Sequence, residues 1–184
     1  MSAQISLATV EDASAIARLY APFVENTAVS FESIPPSGDE MARRIESLAS
    51  AQLPWLVMKD DRRLLGYAYA AKHRDREAYQ WSVESSAYVD VSARRSSVGR
   101  NLYTALFDIL ERQGYQNVYA GTTLPNDASI AFHKSFGFRE IGVYREVGYK
   151  LGKWHDVAWW YLRIAAHESN PKPPLGLSGI TIPT

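Results

Sequence analysis

Three arginines and a cluster of small residues, Arg94-Arg95-Ser96-Ser97-Val98-Gly99-Arg100, follow the apolar segment Ala87-Tyr88-Val89-Asp90-Val91. They lead into an amphipathic run marked by Leu102, Tyr103, Leu106, Ile109 and Leu110. A strand that feeds a helix through such a loop leaves unpaired N-terminal N–H groups aimed at one place, where they and the helix dipole can hold an anion. The pattern reads as a phosphate cradle in outline. Taken alone, an Arg-Arg pair after a strand is more often an ordinary solvated loop.

Composition narrows the chemistry that such a loop could serve. The chain has 184 residues and is 46% hydrophobic, enough for one domain with a full core. Lys plus Arg and Asp plus Glu number 20 each, so no global field draws the protein to nucleic acid or to a membrane, and an anion must be met locally. Cysteine is absent, which removes disulfides, thiolate metal sites and a cysteine nucleophile; no metal is expected. The N-terminus has neither a basic start nor an apolar core, and no run of about 18 apolar residues occurs, so the expected location is the cytoplasm.

The elements that must position the loop follow from spacing. Ile5 to Leu7 can open a strand, and Thr9 with Asp12 resembles a capping box ahead of Ile16, Leu19, Tyr20, Phe23 and Val24 on one helical face. After an irregular stretch around Phe31 and the Pro35-Pro36 break, Ser37 and Glu40 repeat that spacing before Met41, Ile45 and Leu48. Strands are predicted at Trp55–Met58, Leu64–Ala71 and Trp81–Val91, with a polar turn at Asp60-Asp61-Arg62. The helix after the cradle ends near Gly114, and Asn117–Thr123 reads as a further strand. Asn126 caps a short helix that stops at Gly137, and strands near Phe138–Val143 and Val157–Ile164 complete the pattern. The segment Asn170–Thr184 carries four prolines and reads as a tail or packing arm. An α/β domain over residues 1–165, with one central sheet and helices on both faces, precedes a Pro-rich tail at 166–184.

Two motifs give this order a family likeness. Arg94-Arg95-Ser96-Ser97-Val98-Gly99 resembles the Gln/Arg-x-x-Gly-x-Gly/Ala pyrophosphate loop of the GCN5-related N-acetyltransferases (GNAT). Asn126 to Phe138 resembles that family's Asn-x-x-Ser-Ile helix and its Gly-Phe strand start. Within the family, Tyr79–Ser85, Leu124–Asp127 and Gly148–Val157 are most similar to phosphinothricin and methionine sulfoximine N-acetyltransferases, and the likeness spans roughly residues 4 to 164. It implies the GNAT fold, a mixed and mostly antiparallel twisted sheet, with acetyl-CoA as co-substrate. One departure stands out: Ser97 replaces the loop's first glycine, which matters if that position needs a positive φ.

The resemblance assigns roles to particular residues. Ser96, Ser97, Val98, Gly99 and Arg100 would give backbone donors to the pyrophosphate, with Arg94, Arg95 and Arg100 adding charge. Asn126 and Ser135 would lie along the cofactor, while Ala87, Tyr88 and Val89 would hold the pantetheine and the thioester, N–H groups near Val89 polarising the carbonyl. An amine acceptor is protonated at neutral pH, so a general base is useful. Glu84 is the first candidate, on a strand whose alternation could aim it into the cleft and where burial would raise its pKa; a solvent-facing or arginine-paired carboxylate is the alternative. His133 stands where many relatives carry a tyrosine that protonates the leaving thiolate, and could relay the proton with Glu84 or be structural.

Phe31, Arg74, Arg76 and Tyr79 occupy positions that shape the acceptor site in the resembling enzymes, and a guanidinium can grip a carboxylate or phosphinate at two points. The same His73–Glu77 run also reads as a wet turn. Lys150, Trp154 and Asp156 would line the acceptor site or staple the last hairpin. Aromatic density around Trp154–Tyr161 fits core or a homodimer interface. The expected function is direct transfer of an acetyl group to the α-amino group of a small amino-acid analogue such as phosphinothricin, methionine sulfoximine or methionine sulfone. Another small amine, a protein N-terminus, or a non-catalytic acetyl-CoA sensor are the alternatives.

Overall fold

The computed structural model describes residues 3–61, 63–94 and 96–180. Its sheet comprises β1 (Gln4–Leu7), β2 (Trp55–Asp60), β3 (Arg63–Lys72), β4 (Ser82–Val89), β5 (Asn117–Thr123), β6 (Arg139–Lys150) and β7 (Lys153–Arg163), in the order β1-β2-β3-β4-β5-β7-β6. Every neighbouring pair is antiparallel except β4–β5. Among the described residues four α-helices accompany it: α1 (Ala13–Asn26), α2 (Gly38–Ser50), α3 (Val98–Gln113) and α4 (Asp127–Ser135).

Alternation along the strands sends side chains to two cores. Leu56, Ala68, Ala70, Val83, Val118 and Ala120 meet Leu102, Leu106 and Ile109 of α3 on one face. Trp55, Val57 and Tyr67 meet Ile16, Tyr20 and Val24 of α1 with Met41 and Ile45 of α2 on the other. Helices therefore cover both faces, as the sequence suggested.

Caps set the helix ends. The Ser37 side chain accepts from the Glu40 N–H at 3.1 Å, and the Asn126 side chain accepts from the Ser129 N–H at 3.1 Å. Gly114, at φ +94°, closes α3 in the left-handed conformation that glycine adopts without penalty. The Thr9 N–H donates to Asp12 Oδ2 at 3.0 Å, but the residues after Thr9 first form a 3-10 turn, Val10–Asp12, and α1 begins at Ala13.

Three strands differ most from the sequence expectation. β4 stops at Val89, because Asp90 accepts from the Ser92 N–H and folds Val91–Ala93 into a 3-10 turn. β6 and β7 are far longer than predicted and form a hairpin closed by Leu151 and Gly152, both at positive φ. β6 is an edge strand with most residues exposed and two register shifts, so the period-2 apolar signal is missing along it. The Pro-rich segment docks on the domain. The Trp81 indole donates to Lys172 O at 2.8 Å, and Gln113 exchanges hydrogen bonds with the Leu175 backbone.

Candidate active site

β4 and β5 run side by side for three residues only: Ser82, Val83 and Glu84 pair with Asn117, Val118 and Tyr119. Beyond that point β4 continues on β3 to Val89 while β5 continues on β7 to Thr123. The two parallel strands separate, and the backbone groups of β4 past Glu84 that face β5 have no strand partner. Such a cleft exposes polar backbone to whatever enters it, and Glu84 stands at its apex.

Along β4 the side chains divide between the two faces. Val83 and Ser85 face α3, where the Ser85 hydroxyl donates to the buried Tyr103 hydroxyl at 3.2 Å, and Ala87 and Val89 pack on the same core. Tyr88 faces α1, with its ring edge-on to Tyr20 and Phe23 at centroid distances of 4.8 and 5.2 Å. Glu84 shares that second face, since it pairs with Ala71 on β3 and with Tyr119 on β5.

The Glu84 carboxylate is held rather than buried. His73 Nδ1 lies 2.9 Å from Oε1 and the Arg74 guanidinium donates to the same oxygen at 3.2 Å, while the side chain remains 32% exposed. This corrects the expectation of a carboxyl sunk in apolar surroundings: at the strand's end the neighbouring loop brings charge and water. His73 was not singled out from sequence. Its ring stacks on Tyr119 at 4.2 Å and meets Tyr79 edge-on at 5.9 Å. The signal was present in the alternation Tyr67, Tyr69, Ala71, His73, which continues the α1 face of β3 by two more residues.

His133 lies on the opposite face, beneath α4. Its ring packs edge-on to Tyr103 and Phe138 and parallel to Trp160, and the residue is 6% exposed. Nδ1 sits 2.8 Å from the Ser129 carbonyl oxygen, which only accepts, so Nδ1 carries the proton and a neutral ring presents Nε2 as an acceptor. Nε2 is buried with no hydrogen-bond partner among the described residues. Burial pushes the imidazole pKa below its ordinary value, partly offset by the Ser129 carbonyl. Glu84 and His133 therefore make no contact.

The cradle takes the shape of a turn and a helix start. Ser97 has φ −74° and ψ 2°, a conformation open to any residue, so the serine in place of glycine meets no backbone penalty here. Val98 is buried in the α3 core, and a Cβ on Gly99 would meet Val89 and Phe132 at 3.4 Å, which seats the start of α3 against β4 and α4. No acidic residue stands in the first turn of α3. The Ser96 hydroxyl donates to the Ala93 carbonyl. The Arg94 guanidinium lies over the Phe23 ring, and Arg100 donates to the Ser135 hydroxyl at 3.1 Å while lying over Phe136. Arg100 and Ser135 are thus brought together, the Asn126 carbonyl oxygen is engaged as a helix cap, and Arg95 lies outside the described residues.

The acceptor candidates fall into two groups. Arg74 and Tyr79 gather with His73 around Glu84, and Arg76 opens the short turn Glu77–Tyr79 beside them. Phe31 lies instead against the β6–β7 hairpin, where its ring covers Gly148 and faces His155 at 6.2 Å. Lys150 donates from Nζ to Val24 O and Ser30 O, both at 2.6 Å, and so ties the α1–α2 connection to β6. Asp156 accepts from the Glu146 N–H and from Arg145, fixing a bulge in β6; these bonds hold its carboxyl below its usual range. A cavity of about 230 Å³ opens on the Glu84 face between α2 and the sheet, with Tyr20, Arg44, Trp55, Tyr69 and Ala71 among its walls. Arg44 grips Glu32 with two N–H groups at 2.8 and 3.0 Å, and those bonds hold the Glu32 carboxyl below its usual range.

A splayed parallel pair, a basic strand-to-helix turn and a second helix against it define an acyltransferase architecture. Residues 5–159 match the acetyltransferase (GNAT) domain, and the chain belongs to that family of N-acetyltransferases. It is 37% identical over 157 residues to the phosphinothricin N-acetyltransferase of Streptomyces viridochromogenes, covering 85% of each chain. To the L-methionine sulfoximine/L-methionine sulfone acetyltransferase of Pseudomonas aeruginosa it is 31% identical over 172 residues, covering 93% of this chain and 100% of that one. Its fold superimposes with a TM-score of 0.87, at 31% identity, on a GNAT superfamily phosphinothricin acetyltransferase from Sinorhizobium meliloti solved in complex with acetyl-CoA, covering 99% of this chain and 98% of that one.

Proposed function

We propose that the protein transfers an acetyl group from acetyl-CoA to the α-amino group of a small amino-acid analogue of the phosphinothricin or methionine sulfoximine type. The observation that carries this reading is the separation of β4 from β5 at Glu84, which leaves unpaired strand backbone and a carboxylate at one point. The names of the relatives support this acceptor class.

Acetyl-CoA supplies an activated acetyl group when bound. Backbone N–H groups of Ser96 to Arg100 and the charges of Arg94 and Arg100 suit its pyrophosphate, and the unpaired β4 backbone suits its amide-bearing arm. Glu84 takes the proton of the incoming ammonium, with Oε1 tied by His73 and Arg74 and Oε2 left to receive it. His133 serves the α3 face, where its uncharged Nε2 takes a proton from water and passes it to the leaving thiolate. An acceptor side chain lodged in the cavity beside Ala71 would present its amine toward Glu84, since Ala71 and Glu84 are register partners. With no cysteine in the chain, direct transfer needs no thiol-bound acyl group. A homodimer fits the exposed aromatics of β6–β7, Tyr144, Tyr149 and Trp154 among them.

Release of free coenzyme A, read with a thiol reagent, tests the reading over phosphinothricin, methionine sulfoximine, methionine sulfone, ordinary amino acids, spermidine and an aminoglycoside. Turnover confined to the first three is expected. Turnover on the cationic amines would overturn the acceptor class, and tight acetyl-CoA binding without any turnover would leave a sensor.

A further inference from the structure

We propose that His73 is the positioning residue for the Glu84 carboxylate, fixing Oε1 so that Oε2 faces the acceptor amine. The inference rests on Glu84 being the base. Its own ground is geometric: His73 Nδ1 lies 2.9 Å from Glu84 Oε1, and the imidazole stacks parallel to Tyr119, 4.2 Å away at 14°, with Tyr79 edge-on at 5.9 Å. The His73 side chain is only 14% exposed, so the ring is confined on two sides and its nitrogen is aimed by packing rather than by chance. Tyr119 is itself the register partner of Glu84, so the strand that carries the stacking platform also forms the apex of the cleft.

Arg74 donates to the same oxygen but is half exposed, on a long side chain that solvent can draw away. His73 is the rigid half of the clamp. Around Glu84 the other titratable groups are Tyr69 from β3, Tyr119 from β5 and Tyr79 from the following turn, with Glu32 and Arg44 beyond Tyr69. None of them bonds Oε1. Because both donors converge there, Oε2 has no partner among the described residues.

A double-mutant cycle tests this. His73→Phe keeps a ring on Tyr119 and removes the nitrogen; His73→Gln keeps a donor; each is made alone, and His73→Phe is also combined with Glu84→Gln. Expected for His73→Phe are a fall in kcat of about tenfold or more, an unchanged KM for acetyl-CoA, and an acid limb of the kcat/KM profile displaced to higher pH, because a hydrogen bond to the ionised carboxylate has been lost. His73→Gln should recover part of the rate. In the Glu84→Gln background the His73→Phe change should have no further effect. Equal losses in both backgrounds, or an acid limb that stays in place while kcat falls, would make His73 a merely structural residue and overturn the proposal. Full activity of Glu84→Gln alone removes the base and the positioning role together, whereas a dead Glu84→Gln with an indifferent His73→Phe removes only the latter. Should His73→Phe fail to fold, His73→Leu, which carries no donor, takes its place in the cycle.

Discussion

Glu84 and His133 stand on opposite faces of one sheet: Glu84 shares its face with Tyr88 and α1, whereas His133 packs against Tyr103 and Trp160 on the α3 face. Two titratable groups separated by a sheet cannot exchange a proton directly. Glu84 itself stands where β4 and β5 part, at the last pair of their parallel register with Tyr119.

His133 should make folding stability depend on pH in a defined direction. Burial lowers its pKa from the ordinary 6.5, so below that value the unfolded chain binds more protons than the folded one, and stability falls as pH falls; above it the contribution is fully present. In His133→Phe, thermal unfolding between about pH 5 and 7.5 should show a shallower slope than in the wild-type protein, with the variant gaining relative to wild type toward acid. A parallel pair of curves would mean that His133 titrates alike in both states.

Gly148 offers a test of whether Phe31 shapes the acceptor site, as the family likeness implies. A methyl group at that position would stand 2.8 Å from Phe31 Cδ2 and closer still to the ring's outer carbons. Phe31 is 41% exposed and can swing outward, so Gly148→Ala should cost less than about 1 kcal/mol in stability yet raise the acceptor KM. Steady-state kinetics with both substrates checks the split, an unchanged acceptor KM being the contrary result.

Lys150 should lock the α1–α2 connection. Its Nζ satisfies the carbonyls of Val24 and Ser30, both buried residues, and burial lowers the pKa of the ammonium. Lys150→Met leaves those two acceptors unpaired, for an expected loss of about 1–3 kcal/mol by urea unfolding and faster amide exchange in residues 27–37. Equal exchange in variant and wild type would place the lock elsewhere.

How far the sequence discloses this structure depends on whether a signal is local. Ser37, Asn126 and Gly114 act on their own helix ends, and each performs the cap or stop expected of it. Asn117–Thr123 alternates, burying Val118, Ala120 and Thr122 on one face, and has the boundaries read from sequence. β6 was underestimated because an exposed, bulged edge strand has no buried face to imprint a period. At the site, Glu84 and Arg74 were both legible as residues, but their pairing was only one of two readings, and His73 was hidden in a mixed-charge run whose partner lies eleven positions away. Lys150 was read as a residue of the acceptor site or the last hairpin, although its bonds reach back to α1 across the fold.

Ser97, despite replacing a motif glycine, should prove neutral. With φ at −74° the position asks nothing of glycine, and Ser97→Gly chiefly loosens the unfolded chain, for a loss of up to about 1 kcal/mol. Calorimetric affinity for acetyl-CoA should remain within about twofold or improve slightly; much weaker binding would show the hydroxyl to be a needed ligand.

The role of Glu84 is tested most directly by kcat of Glu84→Gln at saturating acetyl-CoA, followed from neutral pH upward. A loss of about 100-fold or more at neutral pH is expected, with recovery as rising pH deprotonates the acceptor amine in solution and makes a base unnecessary, and with acetyl-CoA affinity intact. A kcat equal to wild type across the whole range would contradict Glu84 as the group that accepts the amine proton.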